Sequence, residues 1–216
     1  MSGGGREARG RGEQSDASLI LATRNTKKLA ELRRILEASS VDVSVTDLSE
    51  YPDMPEVAET GATFTENALL KARAVVAHTG RPAVAEDSGL CIDALNGMPG
   101  VLSARWAGQH GDDEANLRLV LGQLADVPAD RRAAHFACVA ALVLPSGQEH
   151  VTEGTVSGRI TDAPRGTNGF GYDPIFMPVS SELTTAEMSE EAKDAISHRG
   201  RALRALAPVI AELLGG

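Results

Sequence analysis

Residues 18–36 read SLILATRNTKKLAELRRIL. The segment SLILAT is a short apolar run, which predicts a buried strand. Leu29, Leu32, Ile35 and Leu36 then recur at helical spacing, and Asn25 stands where the N-cap of that helix belongs. A strand that turns directly into an amphipathic helix is the opening unit of an α/β fold.

The pattern holds outward from there. Val41, Val43 and Val45 alternate with polar residues, a half-buried strand, and residues 49–61 form a loop. Thr63-Phe-Thr-Glu66 reads as a capping box. Ala68, Ala72, Val75 and Val76 supply the buried stripe of the helix it opens, and Gly80 stops it. Pro82–Glu86 is expected to be a strand, with Asp87-Ser88-Gly89 the turn after it. A helix is predicted over 112–125, a long strand over Ala133–Leu144 and its hairpin partner over Gln148–Ser157. Gly166–Pro178 is a Gly-rich turn entering an aromatic strand, and 185–214 hold one or two helices with breaks at Gly200 and Pro208. Strands alternating with helices, plus a central strand pair, predict an α/β fold with a mixed sheet. Residues 1–17 are Gly-rich, polar and aperiodic, so a disordered tail precedes one domain over 18–216.

Composition narrows the function. The 216 residues suit one domain that buries roughly 70% of its unfolded surface. Two cysteines, Cys91 and Cys138, form no Cys-x-x-Cys pair and fit a reduced, cytoplasmic setting. No run of 18 apolar residues exists to span a membrane, and the N-terminus lacks the basic-then-apolar pattern of a signal peptide. A net charge of −9 disfavours non-specific nucleic-acid binding. A cationic site must therefore be local.

Five segments could carry chemistry. In Thr23-Arg24-Asn25-Thr26-Lys27-Lys28 a helix N-terminus offers backbone N–H groups to an anion. Lys28 opposes the helix dipole there, a conflict that a bound phosphate would remove; a capped helix with a solvated lysine is the plain alternative. No Gly-x4-Gly-Lys-Ser/Thr loop occurs. Glu86 and Asp87 end an apolar strand, where buried acids are costly unless compensated. A hard cation such as Mg2+ would compensate, although adjacent strand residues face opposite ways. Asn67 and Lys71 share a helix face, with Glu59 just before that helix. Phe170 offers a stacking face beside the close-approach glycines Gly169 and Gly171, and Asp173 an acceptor. Lys193, His198 and Arg199 are donors near a helix start. The plain alternatives are a polar turn capped by Asp87 for the strand acids, a snorkelling lysine for Lys71, and loop packing or a solvated helix face for the last two segments.

The strings ATRNTKK, FTENALLKARA, AEDSGLCIDALNGMPGVLSARWAG, GFGYDPIF and AISHRGRAL, in this order, resemble the inosine triphosphate pyrophosphatase family, over about Ile20 to Leu214. The resemblance implies an elongated mixed β-sheet flanked by helices, with two lobes, a central nucleotide-binding cleft, a homodimer and a need for Mg2+. It implies hydrolysis of non-canonical purine triphosphates (ITP, dITP, XTP) to the monophosphate and pyrophosphate. Thr23–Lys28 carry over as phosphate-binding, Asp87 as proton acceptor and metal ligand, Glu59 as a further metal ligand and Ser88 as a substrate contact. Lys71 carries over as a phosphate-facing lysine. Phe170, Gly171, Tyr172, Asp173, Lys193, His198 and Arg199 carry over as nucleotide contacts. Many members have Gly where Arg24 stands and Asp where Glu86, the other candidate metal ligand, stands. A pyrophosphatase for modified pyrimidine nucleotides and a catalytically silent nucleotide-sensing module are the alternatives.

Overall fold

The apolar run at the start of the chain forms β1 (Ser18–Leu21), with Leu19, Ile20 and Leu21 buried. The computed structural model describes residues 18–215, so the expected tail lies outside the described residues. β2 (Ser44–Asp47) and β3 (Ala83–Ile92) flank β1, both parallel to it. β4 (Ala133–Val143), β5 (Glu149–Ile160) and β6 (Phe176–Pro178) then continue antiparallel, giving the order β2-β1-β3-β4-β5-β6. The sheet is mixed, as the alternation of elements predicts. Its parallel half needs crossovers: α1 (Thr26–Ala38) links β1 to β2, and α2 (Phe64–Thr79) precedes β3. α3 (Asp113–Gln123), α4 (Glu190–Ile196) and α5 (His198–Leu214) complete the helices.

Local sequence accounts for the helix ends. The Asn25 side chain accepts from the Lys27 N–H, and that of Thr63 from the Glu66 N–H. The Glu66 carboxylate accepts from Ala62 N–H at 2.6 Å rather than from the cap residue itself, a capping box displaced by one residue. Gly80 ends α2 in the left-handed region, at φ 68°.

Two expectations need correction. Asp87-Ser88-Gly89 is not a turn: β3 runs on to Ile92, and each of its residues pairs with β4. The segment stays in the strand because the β4 ladder satisfies its backbone, and Lys71 and Asn67 satisfy the Asp87 side chain. β1 ends sooner, its last pair being Leu21 with Val84. A 3-10 segment, Gly100–Arg105, takes over further along that edge, where Leu90 N–H donates to Ser103 Oγ at 2.9 Å. It packs so closely over Gly89 that a Cβ there would lie 2.3 Å from the Gly100 carbonyl oxygen. The C-terminal break is also misplaced. It falls at Ser197, which ends α4 and caps α5, while Gly200 and Pro208 lie inside α5. Pro208 is exposed, so water can take the carbonyl it leaves without a donor. Leu203, Leu206 and Ile210 are buried from the same helix. At roughly 1.5–3 kcal/mol for each large side chain, their burial outweighs the ~3 kcal/mol cost of an interior proline.

The two lobes have separate apolar cores. One joins α1 and α5 to Leu19, Leu21 and Val84 of the sheet. The other gathers Leu90 and Ile92 with α3, Val156, Tyr172 and Phe176. Val84, Glu86, Ser88, Leu90 and Ile92 share one face of β3, so Glu86 and Ser88 mark a polar strip between the cores. α5 crosses this face at Gly154 of β5, where a Cβ would lie 2.2 Å from the His198 carbonyl oxygen and 2.5 Å from Ala202 N.

Candidate active site

Alternation along β3 sends Glu86 and Asp87 to opposite faces. On the α2 face, Lys71 Nζ lies 3.1 Å from Asp87 Oδ1 and 2.8 Å from Glu59 Oε1. Asn67 is fully buried and locks the arrangement: its Nδ2 donates to Asp87 Oδ2 at 3.2 Å, and its Oδ1 accepts from Gly61 N–H at 2.8 Å. The loop carrying Glu59 is thereby tied to α2. Arg105 reaches Glu59 from the other side, at 3.4 Å. Burial pushes the Asp87 carboxyl up, with a further push from Glu59 that Lys71 and Asn67 do not cancel. Burial opposes the charge on Glu59 too, but Lys71 and Arg105 outweigh it and hold that carboxyl below its ordinary range. Two carboxylates of unequal proton affinity therefore share one lysine.

Mg2+ is usually held by one or two carboxylates, with water and substrate phosphates completing the shell. Glu59 and Asp87 fit that donor set. Among the described residues no three His, Cys, Asp or Glu side chains group as a cage of their own. A metal here would draw its other ligands from substrate and water.

On the opposite face Glu86 is buried and contacts two cations. Lys28 Nζ lies 2.6 Å from Oε1, and Arg199 Nε lies 2.8 and 2.9 Å from the two oxygens. Burial opposes the charge on Glu86, but Arg199 and then Lys28 outweigh it and keep the carboxyl below its usual range. Glu86, offered with Glu59 as a candidate second metal ligand beside Asp87, faces the opposite side of the strand and pairs there with Lys28 and Arg199, apart from Asp87 and Glu59. The conflict of Lys28 with the helix dipole is answered by Glu86 within the protein. Removing one partner from such a buried cluster costs roughly 3–5 kcal/mol, because the remaining charges are left unpaired.

The rest of the cleft comes from loops and from the first turn of α5. Arg24, Asn25, Thr26 and Lys27 are exposed at the start of α1, with Thr23 Oγ1 accepting from Asn25 N–H. Arg24 Nη2 donates to the Met54 carbonyl at 3.0 Å. Phe170 is 67% exposed, and the Lys193 ammonium lies 4.9 Å from its ring centroid. Asp173 is buried and holds that pair, pairing with Lys193 and accepting from Phe170 N–H and Thr185 Oγ1. Gly171 N–H donates to Asp113 of α3 at 2.7 Å. Tyr172 departs from expectation: its ring packs in the second core and its hydroxyl donates to the Ser103 carbonyl, so the side chain does not face the cleft. His198 stacks on Phe136, with ring centroids 5.0 Å apart. Burial, reinforced by the Arg199 charge, brings its imidazole down to about 3, so it is neutral at physiological pH. Ser88 sits half-buried on the Glu86 face. Sequence reasoning passed over Arg105, Asp113 and Glu31, the last 3.6 Å from Arg199 Nη1. A signal existed for Glu31 alone, which falls one turn after Lys28 on α1.

Residues 19–209 match the model of the Ham1 family. The chain belongs to the Ham1 family. A curated relative from Streptomyces coelicolor, named dITP/XTP pyrophosphatase, is 58% identical over 197 residues, 91% of this chain and 98% of that protein. A relative of the same name from Mycobacteroides abscessus is 56% identical, covering 91% of this chain and 96% of its own. The crystal structure titled nucleoside-triphosphatase / dITP/XTP pyrophosphatase from Mycobacterium abscessus is 56% identical, covers 88% of this chain and 99% of its own, and superposes with a TM-score of 0.77. A HAM1 protein from Coxiella burnetii, 42% identical over 90% of this chain and 98% of its own, gives 0.84.

Proposed function

We propose that this Ham1 protein hydrolyses dITP, XTP and ITP between the α- and β-phosphates, releasing the nucleoside monophosphate and pyrophosphate. One observation carries the reading. β3 extends beyond β1, so chemistry on both of its faces can reach a single ligand lying across the vacated edge. The α2 face offers a carboxylate pair with a lysine, suited to phosphate hydrolysis. The α5 face offers Lys28, Arg199, His198 and, nearby, Phe170, suited to a purine nucleotide. The names of the close relatives point to the same reaction.

Asp87 accepts the proton of the attacking water. Its raised proton affinity beside the acidic Glu59 fits this role. Mg2+ held by Glu59 and Asp87 would polarise the phosphate. Lys28, Lys71 and Lys193 offset the triphosphate charge, each gaining about 4 kcal/mol at 4 Å and an effective dielectric near 20, before desolvation. Thr23–Lys27 present the start of α1 to phosphate oxygens, and Ser88 is a further contact from the strand. Phe170 stacks on the base beside Gly171, Asp173 and Lys193. Arg199 donates to purine O6, and His198 braces the wall next to it. Adenine would set an amino donor against that donor, and such mismatches reject by up to ~10^4.

A homodimer in the cytoplasm completes the proposal. The buried free thiols Cys91 and Cys138 suit a reducing compartment, and no described helix is long and apolar enough to cross a membrane. The test is pyrophosphate release from ITP, XTP, dITP, GTP, ATP and modified pyrimidine triphosphates, with and without Mg2+. Preference for the first three with Mg2+ is expected. Preference for the pyrimidines, or binding without turnover, would replace this reading with one of its rivals.

A further inference from the structure

Glu86 lies in the middle of the sheet, yet it touches the first turns of two different helices. Lys28 comes from α1 and Arg199 from α5, and both contact the same oxygen, Oε1. We propose that Glu86 is a positioning residue, which sets Lys28 and Arg199 in the orientation that receives the nucleotide, and that it is not a ligand of the metal. The inference rests on the reading above, in which these two cations bind nucleotide.

Depth supports it first. The Glu86 side chain is 6% exposed and Glu31 14%, while Arg199 is 17% and Lys28 29%. Glu86 therefore lies deeper than either cation that it pairs with. A divalent ion approaching Glu86 would have to displace two like charges that already satisfy it. Its neighbour Asp87, by contrast, reaches the other face and partners of its own.

The geometry of the guanidinium supports it next. Arginine presents its donors in a rigid planar fork. Both Glu86 oxygens take the Nε edge, whereas the Nη side carries the longer Glu31 contact at 3.6 Å. Fixing one edge fixes the plane, and so directs the remaining donors before any ligand arrives. Glu31 lies one helical turn from Lys28 on α1, so Arg199 is tied to the same helix as Lys28 by a second route. Long, flexible cations held this way lose less freedom on binding. Without Glu86 between them, Lys28 and Arg199 would repel each other and separate.

The experiment uses the full-length protein and two probes. IMP binding is measured by calorimetry without metal, and ITP turnover is measured as a function of both ITP and Mg2+. Glu86→Gln is expected to weaken IMP binding and raise KM for ITP by roughly ten- to a hundredfold, the range typical of partners that orient a binding group. The Mg2+ concentration for half-maximal turnover should stay where it is, and kcat should fall much less than KM rises. Glu86→Asp, which keeps the charge, should recover most of the loss. In a cycle with Arg199→Ala the two losses should not add, because one residue acts through the other. Raised Mg2+ demand with unchanged IMP binding would overturn the proposal and make Glu86 a metal ligand. Unchanged IMP binding and KM in a folded Glu86→Gln would overturn it as well. If that variant does not fold, the charge-balanced pair Lys28→Met with Glu86→Gln is compared with Lys28→Met alone. A further loss of IMP affinity is expected, and equal affinity refutes the role. A wild-type protein that releases no pyrophosphate from ITP would sink the functional reading, whereas the binding of IMP by the variants speaks to Glu86 itself.

Discussion

Glu86 and Asp87 are consecutive acids on one strand, and the two faces of the sheet treat them differently. On the α5 face, Glu86 is enclosed by two cations and kept a firm anion. On the α2 face, Asp87 shares a single lysine with a second carboxylate, and burial raises its affinity for a proton. Residue type does not separate them. The ratio of cations to carboxylates around each one does, and it produces a fixed charge on one side and a carboxyl of raised proton affinity on the other.

The largest test of this contrast is Asp87→Asn. It removes the proposed base and keeps the size, so kcat should fall by ~10^2 or more, while thermal unfolding changes little. Without metal, the Asp87 carboxyl should titrate above the pH of an ordinary aspartate, because the folded carboxyl holds its proton more tightly, and that titration should vanish in the variant. Normal turnover at saturating Mg2+ would transfer the role of base to Glu59.

Arg199→Ala probes the other face. kcat/KM for ITP should drop by roughly ten- to a hundredfold, as expected for a lost charge-assisted hydrogen bond, with little change for ATP. Equal losses for the two substrates would mean that Arg199 reads phosphate and not the base. Phe170→Ala should lower both substrates by a similar, smaller factor, because a stacking face is indifferent to the exocyclic group. A change in the ITP-to-ATP ratio there would shift base reading onto the aromatic loop.

The last test concerns stability. His198 is held neutral in the fold, with its imidazole brought down to about 3 from the ordinary 6.5. Between those values the unfolded chain binds the extra proton, so this group destabilises the fold as pH falls below about 6.5, by up to ~1.4 kcal/mol per pH unit. His198→Gln should therefore show a flatter decline in unfolding free energy from pH 6.5 to 4.5. Parallel declines in the two proteins would mean that His198 is solvated and not packed on Phe136.

Much of the fold was legible because its signals are local. Asn25, Thr63 and Gly80 act on backbone groups within a turn of themselves, and their roles can be read from neighbouring letters. The errors arise where the partner is remote. Glu86-Asp87-Ser88-Gly89 has the composition of a turn, and only the β4 ladder keeps it a strand. The α5 residue that meets Glu86 lies 113 positions away, and the carbonyl that draws Tyr172 inward lies 69 away. The motifs marked which residues matter, but not the face on which each one works. Alternation along β3 could have separated Glu86 from Asp87 only once the segment was known to be extended.

Gly154 shows how far such dependence reaches. It touches no part of the proposed ligand path, and replacing it with alanine would pass for a conservative change. Yet the added methyl would need space already filled by the backbone of His198 and Ala202. Backbone cannot rotate aside as a side chain can, so α5 would have to lift from the sheet and carry Arg199 with it. If Arg199 reads the base as proposed, nucleotide preference depends partly on the thickness of one residue in the supporting strand. A mutant library confined to the cleft walls would miss that position. Gly154→Ala should relax discrimination among purines and leave the chemistry at Asp87 in place.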